Sequence, residues 1–359
     1  MKILQLIDTL RSGGAERMAV NMAAIFSEAD IDNMLIVSRE IGMQGKRVNE
    51  KTQLKCLNKS GTLDWKAFSN LLKYAKEFCP EVVHVHSTSL FWGVLLKGLL
   101  KNVKLIWHDH YGLSDQLKPG DRKAERIAIK GVDGIVSVND RLRSWAVEEL
   151  EVSSKRVILI ENFPYLKYVE KRESELGSPV ILLQMANFRP QKNHLLAIDA
   201  LHVLRSKYYI DVELWLAGSI TLDQQYTKEV YRAIAAHGLE DQVKVLGEVE
   251  DVELILGKAD IGLLSSRSEG LPVSLLEYGL AGLPVVTTDV GLCKQVLQAG
   301  KFGKIVESDD QEGFVQKIKE LIDDYRGAIQ MGESFHEHIL NSYGAAQFLR
   351  KYRDFVAKL

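Results

Sequence analysis

The chain has 359 residues, more than one hydrophobic core usually serves, so two domains are expected. Its composition, 46% apolar and 26% charged, is that of a soluble α/β protein, and no apolar run approaches the ~20 residues of a spanning helix. The net charge of -2 excludes nucleic acid as the main partner, and three cysteines without ligand spacing (Cys56, Cys79, Cys293) exclude a zinc or disulfide framework.

Basic residues slightly outnumber acidic ones up to residue 165 and are outnumbered after it, a mild asymmetry that suits an anionic surface or substrate. The opening apolar run is too short for a signal peptide, so a cytoplasmic protein is expected, at most lying on the inner face of a membrane.

Ile3–Ile7 reads as a buried strand, followed by Asp8-Thr9-Leu10-Arg11-Ser12-Gly13-Gly14 and a helix from Ala15 to Ser27. A strand feeding a glycine pair and a helix is either a tight turn or a close-approach loop of a Rossmann domain. It is not G-x-G-x-x-G, so a dinucleotide site is not supported. Asn33–Val37 is the next strand, Gly42–Thr62 reads as irregular, and Leu63–Phe78 is an amphipathic helix with Lys66, Lys73 and Lys76 outside. Val82–His86 is a strand and Ser89–Lys101 a helix. Lys104–Trp107 is a strand that ends in His108-Asp109-His110.

Ligands gather at the carboxyl ends of parallel strands, which makes His86, His108, Asp109 and His110 candidate site residues. A His-x-His pair alone is short of a metal site, and no further ligands cluster near it in the sequence. The apolar segment 91–101 precedes the basic series Lys118, Arg122, Lys123, Arg126 and Lys130. The stretch 91–130 is either a surface that rests on a membrane or a buried helix beside a solvated one. Gly134–Val138 and Val157–Ile160 are the last strands before a charged linker at Tyr165–Pro179 that includes Glu170, Lys171, Arg172 and Glu173.

Val180–Met185 opens a second set of elements, with Arg189 and Lys192 in the loop before a helix at His194–Lys207. Two cations at a strand's carboxyl end can neutralise an anionic leaving group without a metal, or be ordinary surface charges. Glu213–Ala217 ends in Gly218-Ser219, Tyr226–Ala236 is helical, and Val243–Leu246 runs into Gly247-Glu248-Val249. After Val252–Lys258 comes the buried strand Ala259–Leu264, a turn at Gly270, a helix Pro272–Leu280 with Pro272 as its first residue, and a strand Pro284–Thr287. That is a parallel crossover unit.

At the start of this helix the N–H groups of Leu271, Val273 and Ser274 carry the positive end of the dipole, a ready anion site over Gly270–Ser274. Glu269 precedes the helix and Glu277 lies one turn inside it. A diphosphate bound there would have a carboxylate on each side, one for sugar hydroxyls and one for ribose hydroxyls. Taken singly, each glutamate also reads as an ordinary helix charge. Phe302–Val306 is the closing strand, Gln311–Asp324 and Gly327–Glu333 are helices, and Ala345–Lys358 is an amphipathic helix.

Glu269 and Glu277 sit inside S-x-x-E-G-L-P-x-x-L-L-E-x-x-x-x-G-x-P-V-V-x-T-D-V-G, which begins at Ser266. This stretch resembles the donor-site signature of retaining glycosyltransferases of family four, the glycosyl transferases group 1. The resemblance implies an α/β GT-B fold: two facing Rossmann-like domains with a nucleotide-sugar cleft between them. It places an acceptor domain at 1–164 with 345–359 packing back, a linker at 165–179 and a donor domain at 180–344.

It further implies that Gly13 and Gly14 line the site, that His108 contacts the donor sugar, and that Arg189 and Lys192 bind the donor phosphates. By the same resemblance Gly218 approaches the nucleotide, Val249 meets the base, Glu277 holds the ribose and Glu269 the sugar. Gly270, Leu271, Pro272, Val273 and Ser274 would cradle the diphosphate. The chain departs from the family pattern at Phe163, Ala186-Asn187, Ser219-Ile220-Thr221 and Gln295.

The expected activity is retaining transfer of a sugar from a nucleotide diphosphate donor, UDP being commonest, to a hydroxyl of a glycan or lipid-linked acceptor in cell-surface polysaccharide synthesis. No cofactor and no metal is expected, and acceptor contacts are assigned to the loops 42–62 and 109–125. Two alternatives remain at this stage. One is a nucleotide-sugar hydrolase or epimerase of the same fold, and the other an inactive nucleotide-sugar-binding subunit.

Overall fold

The computed structural model describes residues 1–11, 13–111, 117–118, 120–168 and 175–359. Ser12, positions 112–116 of the loop assigned to the acceptor, and Glu170, Lys171, Arg172 and Glu173 of the linker lie outside the described residues. The chain divides into two compact units, Met1–Phe163 with Ala345–Leu359, and Pro164–Gly344.

In the first unit seven strands form one sheet: β1 (Lys2–Thr9), β2 (Asp32–Glu40), β3 (Gln53–Cys56), β4 (Val82–His86), β5 (Lys104–Asp109), β6 (Gly134–Ser137) and β7 (Val157–Leu159). Their order is β3-β2-β1-β4-β5-β6-β7, and all neighbours run parallel. Helices α1 (Gly14–Glu28), α2 (Trp65–Phe78), α3 (Leu90–Leu99), α4 (Lys123–Ala128) and α5 (Asp140–Glu148) make the crossovers. Alternation along β4 and β5 divides the two faces. Val83, Val85, Leu105 and Trp107 join α2 and α3 in one core. His84, His86 and His108 therefore point to the opposite face, where Gln5 stands beside His84 and His86 beside His108.

Helix α2 shows how locally some of this is written. Asp64 caps it by accepting from the Ala67 N–H at 3.0 Å, and Ala67, Phe68, Leu71, Ala75 and Phe78 form its buried stripe. The segment Gly42–Thr62, expected to be irregular, holds a 3-10 turn at Met43–Arg47 and strand β3. β3 is a four-residue edge strand, half-buried on alternate residues only, so its periodic signal is weak.

The second unit has six parallel strands, β8 (Val180–Met185), β9 (Val212–Ala217), β10 (Val243–Gly247), β11 (Ile261–Leu264), β12 (Val285–Thr288) and β13 (Lys304–Val306), in the order β10-β9-β8-β11-β12-β13. Around them lie α6 (His194–Ser206), α7 (Gln224–Ala236), α8 (Val252–Lys258), α9 (Val273–Leu280), α10 (Cys293–Val296), α11 (Gln311–Asp323) and α12 (Tyr325–Tyr343).

Two expectations are corrected here. Pro272 is not the first helical residue. Its ψ of 111° is extended, so it is the N-cap and the helix starts at Val273. The helix expected at Gly327–Glu333 runs from Tyr325 to Tyr343, because Asp324 caps it at Gly327 N–H and Phe335 and Ile339 join the α9 core beyond the expected end. The last helix, α13 (Ala345–Lys358), belongs to the first unit, where Tyr352 packs at a tilt against Phe26 and Phe348 against Phe163. Among the described residues no helix is long and apolar enough to cross a membrane.

Candidate active site

Strand order reverses in the second unit between β8 and β11, the place where loops at the carboxyl ends diverge and leave room for a ligand. Lys192 leaves the β8 side and Glu269 the β11 side, and they meet there. The Lys192 ammonium donates to both carboxylate oxygens of Glu269 at 2.6 and 2.8 Å, and the Ser266 hydroxyl donates to Oε1 at 2.6 Å. Glu269 is only 8% exposed and Lys192 26%, so the pair sits at the edge of solvent with the lysine outermost.

The frame that holds them is made of backbone contacts. Ser265 donates to the carbonyls of Lys192 and Asn193, Gln184 donates to that of Lys192, and Arg267 N–H to that of Gln191. Gly291 has φ +55° and lies so near Glu269 that a Cβ would stand 2.3 Å from its carbonyl oxygen, so only glycine closes this turn.

Helix α9 begins immediately after. Among the described residues the N–H groups of Leu271, Val273 and Ser274 meet no acceptor, and the first helical bonds run to the Pro272 carbonyl. Gly270 is exposed and Leu271, Val273 and Ser274 are half-buried, so the helix start is open to an anion. Glu277, one turn on, is buried at 4% exposed, so it is not an ordinary solvated helix charge. Beneath it the Tyr278 hydroxyl accepts from the Met185 N–H at 2.7 Å and reaches the carbonyls of Leu183 and Leu263, tying β8 to β11. Burial pushes that hydroxyl's pKa up, so it stays protonated.

Arg189 is exposed and makes no ion pair among the described residues, a cation open to a ligand. Gly218, at φ +154°, brings β9 against Ala186, where a Cβ would lie 2.1 Å from the carbonyl oxygen. The Ser219-Ile220-Thr221 departure is satisfied internally: Ser219 N–H donates to the Asn187 side chain at 2.8 Å, and the Ser219 and Thr221 hydroxyls pair at 3.1 Å. Val249 is half-buried against the α9 core.

In the first unit Gly13 is the extended N-cap of α1 and Gly14 its first residue. Glu16 folds back to accept from the Thr9 hydroxyl at 3.3 Å, and burial holds its carboxyl above the usual range. His108 is fully buried at the end of β5. The sequence offered no further ligand beside the His108–His110 pair, and here the fold corrects it. The parallel register sets His84 and His86 alongside, and ring nitrogens of His84, His86 and His108 lie within 4.8 Å of one another. Asp109 turns the other way and takes a two-point ion pair from Arg122 at 2.7 and 3.1 Å.

This geometry can be set beside known proteins. The family model described as Glycosyl transferases group 1 matches residues 168–337, and that of Glycosyltransferase Family 4 matches residues 12–163. The chain belongs to the family-four glycosyltransferases. It is 21% identical over 322 residues to the UDP-Gal:alpha-D-GlcNAc-diphosphoundecaprenol alpha-1,3-galactosyltransferase of Escherichia coli, spanning 83% of this chain and 81% of that one.

Its fold resembles a glycosyltransferase from Rickettsia africae ESF-5, with a TM-score of 0.76 at 19% identity over 99% of this chain and 98% of the other. It also resembles HepE of Anabaena in complex with UDP and glucose, with a TM-score of 0.76 at 17% identity over the whole of both chains. The two parallel-sheet units of this glycosyltransferase are those of the GT-B fold.

Some of the transferase's site-building residues carry no signal in a linear reading. Ser266 looked like a motif residue without a task, yet it shares Glu269 with Lys192. Tyr278 has no role assigned to it in the sequence. His86 stands among the strand-end candidates, and the spacing of two puts His84 on its face, but Tyr352 carries no such clue.

Proposed function

We propose that this glycosyltransferase is a metal-independent, retaining enzyme. It would move a sugar from a nucleotide diphosphate, with UDP the first candidate, to a hydroxyl of a glycan or lipid-linked acceptor in surface polysaccharide synthesis. The observation that carries the proposal is the Lys192–Glu269 pair beside the open start of α9.

A leaving diphosphate gains charge as the sugar bond breaks. The free N–H groups of Leu271, Val273 and Ser274, with Arg189 and Lys192, are already oriented to stabilise it, so no metal is required. Lys192 lies between roles: it holds Glu269 in place and presents its outer side to the phosphates. Glu269 would then hold sugar hydroxyls, Glu277 the ribose, and His108 the sugar from the first unit. Gly13 and Gly14 supply site backbone, Gly218 the close approach to the nucleotide, and Val249 a wall for the base. Retention follows if departure and attack occur on one face, because no residue is assigned here as a nucleophile.

The lipid-linked acceptor is supported by the relative in Escherichia coli, whose name gives a diphosphoundecaprenol acceptor. Within 91–130, Phe91, Leu95, Leu99 and Ile127 are exposed among Lys101, Lys123, Arg126 and Lys130, which supports peripheral contact with an anionic membrane from the cytoplasmic side.

Titration calorimetry against UDP- and GDP-sugars, with a chelator present, tests this reading. Binding of one sugar nucleotide, lost in Glu277→Ala, is the expected result. Lys192→Ala should lower kcat about 10²–10³-fold, the usual cost of removing one preorganised charge donor. Binding that appears only with added metal would end the metal-independent mechanism.

A further inference from the structure

Three buried histidines of the first unit, His84, His86 and His108, and the half-buried His110 form two hydrogen-bonded lines. In one, the Tyr352 hydroxyl meets His84 Nδ1 and His84 Nε2 meets His108 Nδ1, each at 3.1 Å. In the other, His110 Nε2 meets His86 Nδ1 and His86 Nε2 meets Gln5 Oε1, again at 3.1 Å. Among the described residues two ring nitrogens are left over, buried and without a partner: His108 Nε2 and His110 Nδ1. The two rings that carry them lie with centroids 3.9 Å apart, tilted by 30°.

The proton positions follow from what each partner can do. The Tyr352 hydroxyl has His84 as its hydrogen-bond partner, so if it accepted there its own proton would be buried unpaired. It donates to Nδ1. A neutral His84 then carries its proton on Nε2 and donates to His108 Nδ1, which leaves the His108 proton on Nε2. In the second line the Gln5 oxygen can only accept, so His86 is protonated at Nε2 and takes the His110 Nε2–H at its own Nδ1. All four rings are the same tautomer, but His108 and His110 are turned end for end. One leaves a donor unsatisfied and the other a lone pair.

We propose that His108 Nε2–H and His110 Nδ1 are a built donor–acceptor pair for one substrate hydroxyl, and that Tyr352, His84, His86 and Gln5 are positioning residues that set it. A hydroxyl is the group that satisfies both, since it accepts and donates at one oxygen. The inference rests on the glycosyltransferase reading for the nature of the substrate. It assigns a binding role to His110 and makes a helix from the far end of the chain responsible for the protonation pattern at β5. A metal is disfavoured by the same geometry, because His84 Nε2 and His108 Nδ1 face each other instead of converging on a third point.

The test uses the full chain labelled with 15N-histidine, with ring signals assigned through single His→Gln variants. Long-range proton–nitrogen spectra of the free protein should show all four rings protonated at Nε2. In Tyr352→Phe, which keeps the ring packing, His84 and His108 should gain the Nδ1–H form, while the thermal midpoint stays within a few degrees.

With UDP-glucose as probe, one deoxy analogue of its sugar should bind the wild type about tenfold more weakly than UDP-glucose does, and His110→Ala should erase that difference. A His110 ring protonated at Nδ1, or unchanged His84 and His108 tautomers in Tyr352→Phe, would overturn the proposal. So would stoichiometric uptake of Zn²⁺ that replaces these signals, or deoxy penalties equal in both proteins. If UDP-glucose does not bind at all, glucose is not the donor sugar, and the spectrum of the free protein still decides this inference.

Discussion

The Glu269 carboxylate is held by Lys192 and Ser266, while its backbone lies close against Gly291. A carboxylate so fixed has little rotamer freedom left to lose when it binds a substrate, which is what preorganisation means at one residue. Glu269→Gln keeps the shape but weakens the hold of Lys192. It should lower kcat more than it raises the Kd for the donor, a split that single-turnover and titration data read directly.

Asp109 shows the other use of a buried charge. Its side chain is 2% exposed and that of Arg122 is 9%, with the guanidinium over the rings of Trp107 and Tyr111. Burial drives the Asp109 pKa up and the guanidinium opposes that. Arg122→Leu would strand the carboxylate, and by the usual cost of breaking such a pair should destabilise the first unit by about 3–5 kcal/mol in urea unfolding. Asp109→Asn in the same background should recover part of the loss.

Among the elements, α9 is the proposed ligand platform and also a clamp between strands. Its Tyr278 hydroxyl satisfies the Met185 N–H and touches carbonyls on two strands. Tyr278→Phe leaves that N–H unpaired and should cost about 1–3 kcal/mol of stability, with donor affinity falling less.

Strands β4 and β5 make a different prediction. Desolvation lowers the pKa of all four histidines, His84 and His110 to about 3, while in the unfolded chain they titrate near 6.5. Above pH 6.5 both states are neutral and the histidines do not affect stability. Below it the unfolded chain binds protons that the folded chain refuses, so stability falls with pH down to about 3. Each histidine adds a slope of up to ~1.4 kcal/mol per pH unit. Urea midpoints between pH 7.5 and 5 should drop steeply, and His110→Gln should flatten the dependence.

For the molecule as a whole, α13 is the consequential segment, because the chain leaves the first unit at Phe163 and returns at Ala345. It buries Phe348, Tyr352, Phe355 and Val356. At about 1.5–3 kcal/mol for each side chain, these four account for roughly 6–12 kcal/mol as an upper estimate. That is comparable to the net stability of a whole domain. Truncation after Gly344 should therefore unfold the first unit. Hydrogen exchange should show protection lost in β4 and α1 and kept in β8, β11 and α9. Protection retained in β4 would mean that the sheet holds without its last helix.

Local pattern carried a large part of this structure. Val82–His86, Val180–Met185 and Ala345–Lys358 lie where their periodicity puts them, because a strand or helix face needs only neighbours along the chain to be recognised. The α9 signature was legible for the same reason: Glu269 and Glu277 are eight residues apart on one turn and one helix. β3 was missed because half-exposed edge strands alternate weakly, and the end of α12 was missed because it is set by packing on α9.

What only the tertiary structure decided are the pairings between distant positions. Lys192 finds Glu269 across 77 residues and Tyr352 finds His84 across 268. Such partners are chosen by parallel register and by the return of the last helix. No spacing along the chain encodes a distance that the fold alone creates.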